Sequence, residues 1–454
     1  MTENTLLDRS KPPVPGKPKD IKFPEFFESK TSNGITVIVI EDKKFPLVTV
    51  RFVFGSGSFE NKKEDSGLAL FTSELLTKGS ASMNAVQIAE ETDQLGASLS
   101  SGCDHDATFV SLYSLKKFSD KLYDIGSEII LDPVFKEEEI SRLRTQKINS
   151  VISYKDDGDY LAGRVFKENV FGKSNYANPT EGNQKSLENI SRDKILNFYN
   201  SYYKPDNLII AFVGDITIDE ALKKVEAKFG NWSGNSVEKN TDAGFQQQSK
   251  SNVHIVRKKG AVQSSLKIGH IGVERNNSDY FKIRVMNNIL GDGFTSRINK
   301  NLREVNGFTY GAGSYFDWKK YAGDFSIETE VKNEITANAV KEIIKEINII
   351  RNENVGEDEL QNIKNFISGT FPMQLETPNA IASKVIALKL YSLPADHFST
   401  YISNINNVTV EDVKHAAEKY LHPDKLSICI GGNPEDISES MKQFGDVEVI
   451  EDIE

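Results

Sequence analysis

ISRDKILNFYNSYYKPDNLIIAFVG, Ile190 to Gly214, and VTVEDVKHAAEKYLHPDKLSICIGG, Val408 to Gly432, are one 25-residue unit written twice without a gap. Ser191 and Thr409 stand where a helix N-cap belongs, and Asp193 or Glu411 follows two residues later, near the positive helix end. Tyr202-Tyr203-Lys204-Pro205-Asp206 and Tyr420-Leu421-His422-Pro423-Asp424 end the helix, because proline cannot continue it. An apolar strand then closes each copy. Matching caps, stops and strands make the chain a tandem duplication.

Outward from each copy, the two halves begin alike. ITVIVIED and LVTVRFVFGSGS precede a helix after Ser66; NVHIVRK and SSLKIGHIGV precede DYFKIRVMNNILG. Further helices are expected at Lys136 to Tyr154, where Ile140, Leu143, Ile148 and Val151 share a face, and at Glu357 to Thr370. Strands gather and helices gather, so each half reads as α+β, a mainly antiparallel sheet with helices on one face. The proline-rich residues 1–22 form an extended arm, 23–231 the first domain, the polar 232–252 a linker and 253–454 the second domain.

Composition narrows the function. In 454 residues, 38% apolar and 27% charged, no run approaches the ~20 apolar residues of a membrane span. A net charge of -11 argues against a nucleic-acid partner. Cys103 and Cys429 are far apart and suggest neither disulfides nor a thiolate metal site. With no apolar leader, the expected compartment is the cytoplasm, or the periplasm if a signal has been removed. Six histidines are present, at 105, 254, 270, 397, 415 and 422, and no two stand three or four apart, so no helix presents a ligand pair. His415 and His422 read as surface residues. No G-x-S-x-G elbow occurs, and LGDGFTSR, Leu290 to Arg297, lacks the spacing of a phosphate loop.

The duplicated ending, the element order and NLREVNGFTYGAGSYFDWKKYAGDFSIETE together resemble the pitrilysin/insulinase family of inverted-motif zinc peptidases, from about Phe23 to about Ile437. The nearest type is the short two-domain branch that includes mitochondrial processing peptidase and bacterial heterodimeric peptidases. Active members carry H-x-x-E-H on the helix after a G-S-x-x-E turn. Here that turn is Gly57-Ser58-Phe59-Glu60, and the motif falls on GLALFTSELLTKG. Leu70 and Glu74 take the histidine positions, Ser73 the base, Ser150 the third ligand and Leu143 its acidic support. Leucine cannot ligate zinc, serine is a poor base, and one carboxylate leaves an ion short of three ligands. The resemblance thus implies no cofactor in this chain and no cleavage by it alone. The helix becomes structural, with Leu70 and Leu75 packed into the sheet and Glu74 facing solvent or bonded locally.

What such a subunit supplies, by the same resemblance, is half of a clam-like chamber for unfolded or extended peptides, closed by a homologous zinc-bearing partner. The family's Arg and Tyr, seven residues apart, match Arg303 and Tyr310; Gly291 and Gly293 resemble a shortened substrate loop. The stretch Ala97 to Leu115 reads as the first-half strand best placed to receive a peptide edge-on. The alternative is a peptide-binding or structural protein of the same fold with no peptidase partner. Retention of Arg303 and Tyr310 favours the first reading.

Overall fold

The computed structural model describes residues 22–234, 236–240, 244–245 and 248–453. Nearly all of the expected N-terminal arm lies outside them. In the first half, β1 (Phe27–Lys30), β2 (Thr36–Glu41), β3 (Leu47–Phe54), β4 (Ser98–Cys103), β5 (Thr108–Leu115) and β6 (Leu208–Gly214) form one sheet in the order β1-β2-β6-β3-β5-β4. In the second, β7 (Asn252–Arg257), β8 (Gln263–Ile271), β9 (Ala312–Asp317), β10 (Asp324–Lys332), β11 (Ser427–Gly432) and β12 (Asp446–Ile450) take the order β12-β7-β11-β8-β10-β9. The halves repeat one another from β2 and β7 onward. β6 and β11 lie parallel to β2 and β7, and the inner pairs are antiparallel. Only the outer strand differs: β1 runs antiparallel to β2, whereas β12 runs parallel to β7. The fold is α+β in two homologous halves.

Ser191 and Thr409 cap as expected, Ser191 accepting from the Lys194 N–H and Thr409 forming a reciprocal box with Asp412. The expected helices appear at Glu137–Tyr154 and Glu357–Thr370.

In β2 and β6 the runs VIVI and LIIAFV are apolar at every position, which requires burial on both faces. Alternation sorts their side chains. Val37, Val39, Leu208, Ile210 and Phe212 enter the first half's own core; Ile38, Ile40, Ala211 and Val213 enter a second cluster on the other face. That second cluster is completed by Ile381, Ala382, Val385 and Ile386, which lie on a helix of the other half, Pro378–Leu390. Reciprocally, Gly158–Phe171 of the first half lays Leu161, Val165 and Phe171 beside Val256 and Cys429 of the second sheet. The one-face expectation describes each half alone; across the junction, each half lends the other a helix. The backbones approach closely at Gly158 and Gly431, where a Cβ on Gly431 would stand 2.2 Å from the Gly158 carbonyl oxygen.

The stretch Ala97 to Leu115 is a hairpin rather than one strand. Asp104 turns the chain, its Oδ1 accepting the N–H of Asp106 and of Ala107, both at 2.8 Å. β4 is left as the sheet edge while β5 lies between β3 and β4. The hairpin tip meets its counterpart in the second half. Asp106 accepts from the Tyr176 hydroxyl and from the Lys320 N–H, while the ammonium groups of Lys167 and Lys319 bridge Asp317 and the buried Asp324. The linker is also packed, with Phe245 stacked on Tyr176 at 5.9 Å.

Burial gives this interior an acid sensitivity. Desolvation, reinforced by Lys319 and Lys167, holds His105 down to about 4. Desolvation likewise holds His270 and His397 to about 4. A histidine with a depressed folded pKa stays neutral while the unfolded chain takes the proton, so stability is lost as pH falls from 6.5 toward 4. Asp104 is pushed up to about 6 by burial and gains stability over part of that window. Burial also lowers His254 and His422 and raises Glu60, Asp106, Asp159 and Asp292, but among the large shifts three histidines oppose one aspartate, so the melting temperature should fall from pH 6.5 to 4.5. Thermal unfolding followed by circular dichroism across that range checks it; a flat or rising profile would refute it.

Candidate functional site

The helix Leu68–Leu76 starts from Gly67, whose φ of 91° permits the sharp entry. Leu68, Phe71, Leu75 and Leu76 face the core, and the phase turns Leu70 to its rim: Leu70 is part-exposed and outside the apolar cluster. The expectation that Leu70 packs into the sheet is therefore corrected, while that for Leu75 stands. Ser73 is fully buried and its hydroxyl finds no acceptor among the described residues. Glu74 is part-exposed, and its partner lies outside its own helix. Its carboxylate is paired at 2.5 Å with the ammonium of Lys147, on the later helix that also carries Leu143 and Ser150. Leu143 is buried, and the Ser150 hydroxyl donates to the Gln146 carbonyl within its own helix.

These residues do not fit zinc. One carboxylate is present, a lysine cation already neutralises it, and the neighbouring positions offer an alkyl chain and hydroxyls. Among the described residues no three His, Cys, Asp or Glu side chains gather as a ligand set elsewhere. One histidine pair was invisible in sequence: the rings of His270 and His422 lie 4.9 Å apart, 152 residues apart in the chain. Both nitrogens of His270 are engaged, one with the Ile271 carbonyl and one with the His422 N–H, so the pair is structural. His415 is exposed, as expected. The purified chain should accordingly carry far less than one zinc per molecule. Elemental analysis after dialysis measures this; one zinc per chain that disappears in Glu74→Gln would overturn it.

In the second half, Arg303, Tyr310, Gly291 and Gly293 line one open basin of about 420 Å³. Three local features build it. After Leu290 the chain turns at Gly291, where a Cβ would lie 2.3 Å from the Ser314 Oγ of β9, so a side chain is excluded by close approach. Gly293 has no such constraint, the nearest atom to its Cβ position being 3.6 Å away. Lys300–Val305 then widens to a π-helix, a rare geometry that is frequent at functional sites, and holds Arg303. Finally Gly307, at φ 65°, reverses the chain, and Thr309 is pinned to Gly311 and Thr329, leaving Tyr310 at the rim.

Both side chains are uncommitted. Tyr310 is 98% exposed, and its hydroxyl has no partner among the described residues. Arg303 makes no ion pair among them and lies over the Phe294 ring, 4.5 Å from its centre. The acids nearby are engaged: Glu328 with Lys267, and Asp292 facing Arg284 at 3.6 Å. The basin therefore offers a guanidinium fork, a phenol and exposed aromatic surface from Phe294 and Tyr315, beside the outermost strand β9. Such a set can bind a peptide carbonyl or carboxylate.

The repeat puts a counterpart in the first half. Thr77, Lys78, Ala89, Thr92 and Ser98 line a basin of about 320 Å³ at the edge strand β4, after the corresponding helix. No arginine is among the residues that line it, so the fork is missing from this copy. No polar signature marked this basin in the sequence.

Comparison with known proteins bears out the family resemblance. A sequence profile described as Insulinase (Peptidase family M16) matches residues 36–183, and one described as Peptidase M16 inactive domain matches 189–367. The chain is 22% identical over 392 residues to an uncharacterized zinc protease, YmxG, of Bacillus subtilis, covering 86% of this chain and 95% of that protein. It is 23% identical over 404 residues to a non-peptidase homolog, YmxG, of Helicobacter pylori, covering 88% and 92%. A crystal structure of a peptidase M16 inactive domain from Pseudomonas fluorescens superimposes with TM-score 0.83 at 25% identity, covering 90% of this chain and 98% of that one.

Proposed function

The chain belongs to the insulinase family of peptidases, family M16, and from that premise we propose that it is the non-catalytic subunit of a heterodimeric zinc peptidase. It supplies chamber wall for extended peptides, and it supplies Arg303 and Tyr310 to the catalytic centre of a homologous, zinc-bearing partner. The observation that carries this reading is the contrast between the two halves. The first-half positions hold Leu70, Ser73, Glu74 and Ser150, with Glu74 locked to Lys147, whereas Arg303 and Tyr310 share one open basin and are uncommitted. A tyrosine hydroxyl can donate to the oxyanion formed when a peptide carbonyl is attacked, and a guanidinium can hold a neighbouring carbonyl. The non-peptidase homolog of Helicobacter pylori supports the loss of catalysis in a chain of this size.

Strands β4 and β9, each outermost in its sheet, offer backbone edges to an extended substrate, and backbone pairing tolerates varied side chains. Broad sequence tolerance follows. The test is co-expression with a homologue that carries H-x-x-E-H. Size-exclusion chromatography should give a complex of one copy of each, and a fluorogenic peptide should be cut by the complex and by neither isolated chain as efficiently. Persistent separate elution of the two chains would remove the partner from the proposal and leave the structural alternative.

A further inference from the structure

A second cavity, of about 300 Å³, lies behind the entry to the Leu68–Leu76 helix, where four separate parts of the chain converge. Lys63 and Ser66 come from the loop before the helix; Arg164, Val165 and Glu168 come from Gly158–Phe171, the helix lent to the second sheet. Ala177, Asn178 and Pro179 form a third side, and Ile450, Asp452 and Ile453 arrive from the end of the second half.

Arg164 is the unexplained group. It is 7% exposed, and a guanidinium has five N–H donors. Among the described residues it makes one hydrogen bond, Nη2 to Glu168 Oε1 at 2.8 Å, and its Nε is buried without an acceptor. Burying a cation is costly unless it is paired and its donors are satisfied. The acids at the cavity meet that need only in part: Glu168 pairs with the Arg164 charge through one oxygen and leaves the other donors unmet, and Asp452 is held by Lys155 at 2.9 Å. Lys63 adds a second cation with no ion pair among the described residues. Val165, Ala177, Pro179, Ile450 and Ile453 give the wall an apolar side, and Ser66, Asn178 and Asn183 add uncharged polar groups.

We propose that this cavity binds a small carboxylate bearing a short aliphatic group, its oxygens on Arg164 and Lys63 and its hydrocarbon against Val165, Ile450 and Ile453. A forked guanidinium matches a carboxylate in two hydrogen bonds, and the volume suits a ligand of roughly five to ten heavy atoms. Two sources share this chemistry, a free short-chain acid and the C-terminal residue of a peptide. Because the cavity is walled by both halves, occupancy stabilises their junction. This site shares no lining residue with the Arg303 basin and does not depend on the peptidase reading.

The experiment is thermal unfolding and calorimetric titration of the full chain. The probes are isovalerate, isovaleramide, and an acetylated tripeptide ending in valine as free acid or amide, all at constant ionic strength. Isovalerate should raise the melting temperature in a saturable manner while isovaleramide does not. Of the tripeptides, binding of the free acid alone identifies a peptide terminus as a source; failure of both confines the site to free acids. Arg164→Gln should weaken isovalerate binding at least ten-fold. Should that variant not fold, the exposed Lys63→Glu decides, with an expected loss of several-fold. Equal responses to acid and amide, no saturable response, or unchanged affinity in the folded variant tested would each overturn the proposal.

Discussion

Peptide turnover by the reconstituted pair should fall ~10²–10³-fold when Tyr310 is replaced by phenylalanine, with KM changed far less. The substitution removes one hydroxyl from a side chain that is 98% exposed and has no hydrogen bond to lose among the described residues, so stability should stay within about 0.5 kcal/mol of wild type. An oxyanion donor acts in the transition state and little in the ground state, which is why the loss appears in kcat. Arg303 behaves differently. Its fork is set over Phe294 and can hold a peptide group before and during the reaction, so Arg303→Ala should lower kcat/KM and raise KM as well. Arg303→Lys keeps the charge but not the planar fork, and should rescue little. Steady-state cleavage with dimer formation measured separately distinguishes these outcomes. Wild-type kcat from an intact Tyr310→Phe dimer would show that this subunit donates no group to the reaction.

The second large effect is on stability. Phe171→Ala should cost about 3–5 kcal/mol, a major fraction of the stability of an ordinary domain. Phe171 is fully buried, on the helix that the first half lends to the second sheet, among Tyr176, Phe245 and the second-half strands. Gly431→Val should be comparably severe, since its Cβ would meet the Gly158 backbone rather than a side chain able to rotate away. Because each half carries part of the other's buried surface, unfolding in urea should be one transition that both variants shift as a whole. Two separated transitions, with only one moved by Phe171→Ala, would show that the halves unfold independently.

The repeat was legible because its signals are local: a capping residue, a proline stop, and an apolar strand within 25 residues. The loan of helices was not. Gly158–Phe171 and Pro378–Leu390 carry apolar residues that would suit any buried surface, and nothing in their spacing says which sheet they cover. The apolar runs of β2 and β6 carried a signal for two buried faces that the one-face expectation did not use, and they do not name what covers the second. Asp104 was a readable turn residue inside what looked like one long strand; the flanking serines and threonine gave the run too even a texture for the break to stand out. For the site, the empty ligand positions followed from residue identity alone. Lys147 did not, because its pairing with Glu74 spans 73 residues and joins two helices. The basin joining Arg303, Tyr310 and Gly291 likewise depends on where β9 lies, and Gly291 is explained by that approach without appeal to substrate.

The exchanged helices also set a timetable for the nascent chain. When β6 leaves the ribosome at Gly214, the first sheet can pair all its strands, but the helix that covers its far face begins at Pro378. At ~5–20 residues per second, that interval lasts roughly ten to thirty seconds. During it Ile38, Ile40, Ala211 and Val213 form an uncovered apolar strip on a finished sheet, the kind of surface that holdase chaperones bind. A chain truncated before Pro378 should therefore be an avid chaperone client, while the complete chain is released.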